Sequence, residues 1–371
     1  MKVVHIATAH LPFDTRIFHK EARSLSAAGH DVTVVVHHDG DTSEHGVDVA
    51  GLGEYDSRRE RMSNVWRAFR RAKELSADVY HFHDPELLPV GLLLKLTTDA
   101  KVVYDIHEDF DNQIQFKEWI PAPLRPIIAN TIVPVQSLFA HAFDGLVAAN
   151  EWIAADFERR GHDVTVVGNF PIIEDADITY LPNERDHEYV LSFVGNIDET
   201  HGLLDMLEVV SRLRSRGYDV GIWVIGPIDE PLRERATQYI ERESLDPHVR
   251  LFGRIDYTEI FSYLHTSDVG MMLVDPDLYE HGLSNKMFEY MYSEIPVVAH
   301  ATTSTRKYIP EECGVHVDET DTETQTEAVA SLLDLSQAER DDMGARARRH
   351  VVENCTWENE AEKLLELYES L

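Results

Sequence analysis

Short apolar segments rich in β-branched residues recur along this chain, and most are followed by a segment of helical periodicity. Residues 2–8 form the first apolar segment and 31–36, with its near-continuous valines, the second. Between them Phe18, Ala22 and Leu25 fall at helical spacing and Gly29 supplies a stop, which predicts a helix over 18–28. Segments 79–82 and 101–106 flank an apolar helix around 87–96, and 146–149 and 164–167 complete the series. A valine run without polar alternation suits a strand covered on both faces. Strand–helix–strand repetition of this kind predicts a parallel, doubly wound sheet.

Residues 173–188 break the rhythm. They are polar, contain Pro182, and read as an interdomain linker. The alternation then restarts, with strands expected at 190–194, 220–225, 249–252, 270–273 and 296–299. Helices are expected at 203–216, 232–244, 257–264 and 287–292, and 357–371 reads as one amphipathic helix. The expected class is therefore α/β, with two Rossmann-like domains over 1–172 and 189–352 and a closing segment over 353–371. Two such halves would place a ligand cleft between them, at the carboxyl ends of both sheets.

Composition narrows the function. The 371 residues are 43% apolar, enough for sizeable cores. Two cysteines, Cys313 and Cys355, exclude a disulfide framework and a four-cysteine zinc module. A net charge of −33 argues against nucleic acid as a partner, because phosphates would be repelled. The acids are spread along the whole chain and Lys is scarce. This fits adaptation to a salty cell interior, where charge repulsion is screened; a specific cationic partner is the other reading. The amino terminus reads as a strand and not a signal peptide, and no uncharged apolar run approaches the ~20 residues of a membrane-spanning helix. A cytoplasmic protein is expected.

Three common fingerprints are absent: G-x-G-x-x-G after the first strand, G-x-x-x-x-G-K-[ST], and G-x-S-x-G. The most informative stretch is Gly282-Leu283-Ser284-Asn285-Lys286-Met287-Phe288-Glu289-Tyr290-Met291, followed by Ile295-Pro296-Val297-Val298-Ala299. A small-residue loop here runs into a helix start, where backbone N–H groups and the helix dipole favour a phosphate. Lys286 adds positive charge, and Glu289, about one turn in, can take a diol with both carboxylate oxygens. Phosphate donors followed by a diol acceptor suggest a nucleoside-diphosphate ligand. A capped helix with solvated Lys and Glu is the competing reading.

The same string, Ser-Asn-Lys-Met-Phe-Glu-Tyr-Met and then Ile-Pro-Val-Val-Ala, resembles the donor-binding signature of glycosyltransferase family 4. Further resemblance lies in Asp14-Thr15-Arg16-Ile17-Phe18-His19-Lys20-Glu21-Ala22, His83-Asp84-Pro85-Glu86-Leu87-Leu88, Tyr104-Asp105-Ile106-His107-Glu108-Asp109 and Asn169-Phe170-Pro171. The helix beginning Thr356-Trp357-Glu358 resembles the last helix of these enzymes, which crosses back onto the first domain. The resemblance covers nearly the whole chain. It implies the GT-B fold, a nucleotide-sugar donor held by the second domain, an acceptor bound by the first, and retention of configuration. It also implies that Glu289 holds the donor ribose and that His107 faces the transferred sugar. Gly195-Asn196-Ile197-Asp198-Glu199-Thr200-His201-Gly202 matches the loop at the donor diphosphate, and Gly253-Arg254-Ile255 a loop near the base. The chain departs from the family at His281, where a first Glu normally stands, with Glu280 beside it. Asn196 and His201 stand where Arg and Lys are frequent. The Asn285-Lys286 pair typifies the branch that also lacks the first Glu.

Read from the residues alone, His107 lies just past a buried strand, where doubly wound folds place ligand contacts, or is a structural histidine. Asp14 and Arg16, after the first strand, contact an acceptor or form a local ion pair. Glu86 faces the acceptor or is a charge at a helix start. His81 and His83 alternate onto one strand face but lack a third metal partner at suitable spacing. No Asp-x-Asp pair stands at a donor position and Asp175 and Asp177 fall in the linker, so no cofactor and no metal is expected for transfer. Between 58 and 73 lie seven of the 34 cations, with Met62, Val65, Trp66, Phe69 and Ala72 at helical spacing. That basic amphipathic helix docks on anionic lipid or a lipid-phosphate acceptor, or is an ordinary surface helix. The apolar stretch 127–147 is expected in the core. Lys286, backbone N–H groups near Gly195 and Ser284, and His201 would stabilise the leaving diphosphate. The expected activity is transfer of a sugar to an acceptor such as a lipid-linked glycan or surface polysaccharide precursor. A nucleotide-sugar 2-epimerase and an inactive nucleotide-sugar-binding subunit are the alternatives.

Overall fold

The computed structural model describes all residues except 56, 108–113, 115–119 and 174–177. Glu108, Asp109, Asp175 and Asp177 thus lie outside the described residues. The chain divides into two compact units, one of Met1–Asn169 with Trp357–Leu371 and one of Phe170–Thr356.

The first unit is built on an eight-stranded sheet of β1 (Lys2–Ile6), β2 (Asp31–Val36), β3 (Thr42–Glu44), β4 (Val47–Gly51), β5 (Val79–Phe82), β6 (Lys101–Ile106), β7 (Gly145–Ala148) and β8 (Thr165–Val166). Their order is β3-β4-β2-β1-β5-β6-β7-β8, and all pairs are parallel except β3 with β4. The second holds a six-stranded parallel sheet of β9 (Tyr189–Val194), β10 (Val220–Ile225), β11 (Val249–Gly253), β12 (Val269–Met272), β13 (Val297–His300) and β14 (Gly314–Val317), ordered β11-β10-β9-β12-β13-β14. Both are doubly wound, with the order reversing beside the first strand of each. Central strands β2, β5, β6, β9 and β10 are buried nearly throughout, as continuous apolar runs require.

The helix expected over 18–28 begins earlier and in another geometry. Thr15–Ala22 is a π-helix that passes into an α-helix at Arg23–Ala27. Asp14 sets its start by accepting from the N–H groups of Arg16 and Ile17, both at 2.9 Å. The wider turn carries Arg16, Ile17, Lys20 and Glu21 inward together, which a 3.6-residue period over 18–28 does not do.

The basic segment is a helix, Arg58–Leu75, docked by Ala68, Phe69 and Ala72. Met62 and Trp66, read with the same apolar face, stay exposed at 59% and 54%. Of the stretch 127–147 expected in the core, Leu146 and Val147 in β7 and Ala129, Val133 and Ala140 of helix Arg125–Ala140 are buried, whereas Ile127, Val135 and Leu138 of that helix are exposed. No helix among the described residues is long and apolar enough to cross a membrane.

The last helix, Trp357–Ser370, belongs to the first unit. Trp357, Glu360, Leu364 and Tyr368 form its buried stripe. Trp357 donates its indole N–H to Ser24 Oγ at 2.9 Å, and the Glu360 carboxylate accepts from the Gly168 N–H at 2.6 Å. Trp357→Ala removes a nearly buried aromatic and its hydrogen bond, and should lower the stability of the first unit by about 3–5 kcal/mol, read by denaturant melting.

Candidate functional site

In the first unit the polar residues gather at the carboxyl ends of β1, β5 and β6. Asp84, after β5, accepts from the Thr8 and Ala9 N–H groups after β1. Glu86 accepts from Thr8 Oγ1 at 3.0 Å and from Arg61 Nε at 2.6 Å. Asp14, besides capping its helix, lies 3.3 Å from His10 Nδ1. Burial works against its charge, but the hydrogen bonds from His10 and the Ile17 N–H outweigh it and lower the pKa. His10 in turn packs edge-on to the His107 ring, with centroids 5.3 Å apart.

Arg16 forms the ion pair of its two readings. Its side chain is 5% exposed, so it does not present a charge to an acceptor. The guanidinium donates to both Asp105 oxygens at 3.1 Å, to the Val167 carbonyl at 2.8 Å, and lies 2.9 Å from Glu21 Oε1. Burial alone would raise Asp105; Arg16 and the adjacent imidazoles overcome it and hold the carboxyl well below its usual range. Asp105 Oδ2 then binds His107 Nε2 at 2.8 Å. His83 Nδ1 lies 3.1 Å from the same nitrogen. Burial lowers His83 to about 4, and also pushes His5 and His81 down. Burial together with Asp105 pushes Glu21 up.

In the second unit the sequence-predicted donor residues converge at the carboxyl end of β9 and the start of helix Asn285–Tyr292. Gly195 ends β9 with φ of 130°. A Cβ there would stand 2.6 Å from Lys286 Cε, so the Lys286 side chain lies directly over the Gly195 backbone. At Gly226, which follows β10, a Cβ would fall 1.9 Å from the Gly195 carbonyl oxygen, and φ is 134°. Gly253 closes the row by accepting from the Gly226 N–H at 2.8 Å, with Arg254 exposed and Ile255 half-buried beyond it. No Cβ projects from these positions at the ends of β9 and β10, and the Lys286 side chain lies over the first of them.

Ser284 takes the cap position of Asn285–Tyr292 but makes no side-chain cap bond, so the first-turn N–H groups are left to another acceptor. Lys286 makes no hydrogen bond or ion pair within the described residues, and its Nζ lies 5.8 Å from the Phe193 ring centroid. Burial lowers its pKa, with Glu289 and Asp198 opposing. Glu289 is nearly buried in the same helix. His201 has both nitrogens engaged: Nδ1 lies 2.7 Å from Asp198 Oδ1 and Nε2 3.3 Å from the Tyr279 hydroxyl. Burial and then Lys286 lower its pKa. Asn196 is exposed beside Gly195, while Leu283 and His281 are half-buried in the loop before the helix. Glu280, beside the departed Glu position, is committed to Thr303, accepting from its hydroxyl and its N–H.

Sequence reasoning passed over Gly226, although a Gly-Pro pair after an apolar strand is a visible turn signal. It gave no role to Tyr279, His5, Glu21 or Asp105, whose partners lie far away in the chain.

Comparison with known proteins gives the family and the fold. Residues 15–170 match the model of a glycosyl transferase 4-like domain, and residues 181–350 that of glycosyl transferases group 1. No curated relative matches the chain in sequence. The fold is similar to that of sucrose-phosphate synthase from Thermosynechococcus elongatus, with a TM-score of 0.80 at 16% identity, covering 100% of this chain and 98% of that one. HepE of Anabaena, in complex with UDP and glucose, gives 0.76 at 13% identity and covers both chains fully. A UDP-forming α,α-trehalose-phosphate synthase from Burkholderia xenovorans gives 0.70 at 16%, covering 99% and 98%. The two family domains in tandem and the fold shared with GT-B glycosyltransferases make this chain a glycosyltransferase family 4-like protein.

Proposed function

We propose that the protein transfers a sugar from a nucleoside-diphosphate sugar to an acceptor, with retention of configuration and without a metal in the reaction. One observation carries the donor reading: Lys286, an ammonium without an ion partner among the described residues, lies over the bare backbone of Gly195 beside a helix start that Ser284 does not cap. Convergent N–H groups and a cation favour a diphosphate and stabilise it further as it leaves. Glu289, in the next turn, is suited to the ribose diol. The complexes of HepE with UDP and with UDP-glucose support a uridine nucleotide as the first donor to try.

Breaking the sugar–phosphate bond leaves positive charge on the ring and negative charge on the diphosphate. The acceptor hydroxyl attacks the same face, and its proton passes to the departing phosphate oxygen. To His107, held at Nε2 by Asp105, we assign the role of facing the transferred sugar. Asp14 and Glu86 are the acceptor-side carboxylates, and Arg16 positions Asp105 from behind. A lipid-linked glycan is the proposed acceptor, with Met62 and Trp66 of the basic helix meeting an anionic membrane.

Incubation with UDP-, GDP- and dTDP-sugars in molar KCl should release free nucleoside diphosphate from one donor, unaffected by EDTA. Glu289→Ala should reduce that rate about 100-fold, the scale of losing one transition-state contact. Isomerised donor without release would identify an epimerase. Donor binding with neither product would identify an inactive subunit, and absence of binding by calorimetry would refute the donor reading.

His201, with its pKa depressed, is neutral in the folded protein at neutral pH. As pH falls through the ordinary histidine range near 6.5, the unfolded chain takes this proton first, so the stability this group contributes above that range is lost. Donor affinity should be flat from about pH 7 to 8.5, and Lys286→Met should raise the His201 pKa in an NMR titration. Affinity falling with a histidine midpoint as pH rises through that window would instead make His201 a charged diphosphate contact.

A further inference from the structure

The first unit contains a polar group that sugar transfer does not use. His5 comes from β1, His81 and His83 flank the end of β5, and Glu21 comes from the π-helix. All four side chains are buried, and one ligand atom from each lies within 4.8 Å of the others. Strand spacing pairs only His81 with His83; the sheet register sets His5 directly opposite His81, and the inward turn of the π-helix adds Glu21.

Hydrogen bonds account for part of this group. His5 Nδ1 lies 2.9 Å from His83 Nε2, and His81 Nδ1 lies 2.8 Å from the Tyr368 hydroxyl. They leave His5 Nε2, His81 Nε2 and Glu21 Oε2 buried without a hydrogen-bond partner. Glu21 Oε2 stands 3.9 Å from His5 Nδ1 and 4.0 Å from His83 Nδ1, too far for a bond to either. Two imidazole nitrogens and a carboxylate, buried without hydrogen-bond partners in a group whose ligand atoms lie within 4.8 Å of one another, are a costly arrangement unless something collects their lone pairs.

The geometry points to a structural site for one divalent transition-metal ion, held by His5, Glu21, His81 and His83. Three imidazole nitrogens and one carboxylate oxygen suit Zn²⁺ best among the common cations. Tetrahedral bonds of ~2.0–2.1 Å set ligand atoms ~3.4 Å apart, so small side-chain rotations close the group. Supporting contacts are in place: Tyr368 holds the second nitrogen of His81, Asp105 lies 3.4 Å from His83 Nδ1, and the Arg16 guanidinium pairs with Glu21 through Oε1 at 2.9 Å. Four protein ligands leave no open position, so the ion would tie β1, β5 and the π-helix together and take no part in transfer.

The test uses untagged, full-length protein produced with zinc, dialysed against EDTA while folded, and analysed for metal before and after unfolding in guanidinium. The expected result is about one zinc per chain that survives EDTA and is released on unfolding. Co²⁺ exchanged in during refolding should show the intense visible bands of a tetrahedral site. Glu21→Gln and His81→Gln should each lose EDTA-resistant metal, whereas His141→Gln with His162→Gln, a histidine pair outside the group, should keep it. Wild-type protein retaining less than about a tenth of an equivalent, before and after refolding with Zn²⁺, overturns the proposal even where a variant fails to fold. Metal retained in both ligand variants, or lost in the control pair, overturns it equally.

Discussion

The guanidinium of Arg16, sealed against the Asp105 carboxylate, is the contact around which the first unit's polar interior is arranged. It spans the π-helix, the end of β6 and the carbonyl of Val167 after β8. A buried ion pair of this kind adds little net stability over a packed apolar pair, but removing one member strands the other and costs roughly 3–5 kcal/mol. Its contribution here is geometric. With Asp105 fixed and ionised, His107 Nε2 has an anchored acceptor, and the ring is held at the carboxyl edge of the sheet. The π geometry of Thr15–Ala22 follows from the same requirement, because it turns Arg16 and Glu21 inward together.

The second unit solves the opposite problem. Its candidate site sets glycine backbone and one cation at close range. A Cβ on Gly226 would strike the Gly195 carbonyl, and one on Gly195 would strike the Lys286 side chain that lies over it. A diphosphate would meet N–H groups and an ammonium already oriented, which is what electrostatic preorganisation requires. His201 is not a mobile cation here; Asp198 and Tyr279 hold it from both sides.

Strands 31–36, 79–82, 101–106 and 220–225 were legible to the residue, because burial on both faces leaves a continuous apolar run. The edge hairpin β3–β4 was not, since Thr42-Ser43-Glu44 is exposed and carries no apolar pattern. Its one signal is the His45-Gly46 turn, where both residues have positive φ. The second unit's candidate site could be proposed from sequence because its loop, cation and carboxylate are contiguous there. The polar network of the first unit could not. His5, Glu21, His83 and Asp105 meet only through sheet register and helix pitch, neither of which a local pattern records. The exposed face of Arg125–Ala140 misled for a related reason, as apolar character alone does not say which side of a helix is covered.

The placement of Trp357–Ser370 bears on how the chain is made. The second unit is one unbroken stretch, Phe170–Thr356, and has all its residues as soon as that stretch is synthesised. The first unit begins earlier but lacks Trp357 against Ser24, Glu360 at Gly168 and Tyr368 on His81 until the last residues arrive. During synthesis the order of completion is therefore reversed: the later domain can finish first, while the earlier sheet waits with part of its core open. Through that interval, longer than the synthesis of the whole second unit, the first sheet is exposed to misfolding.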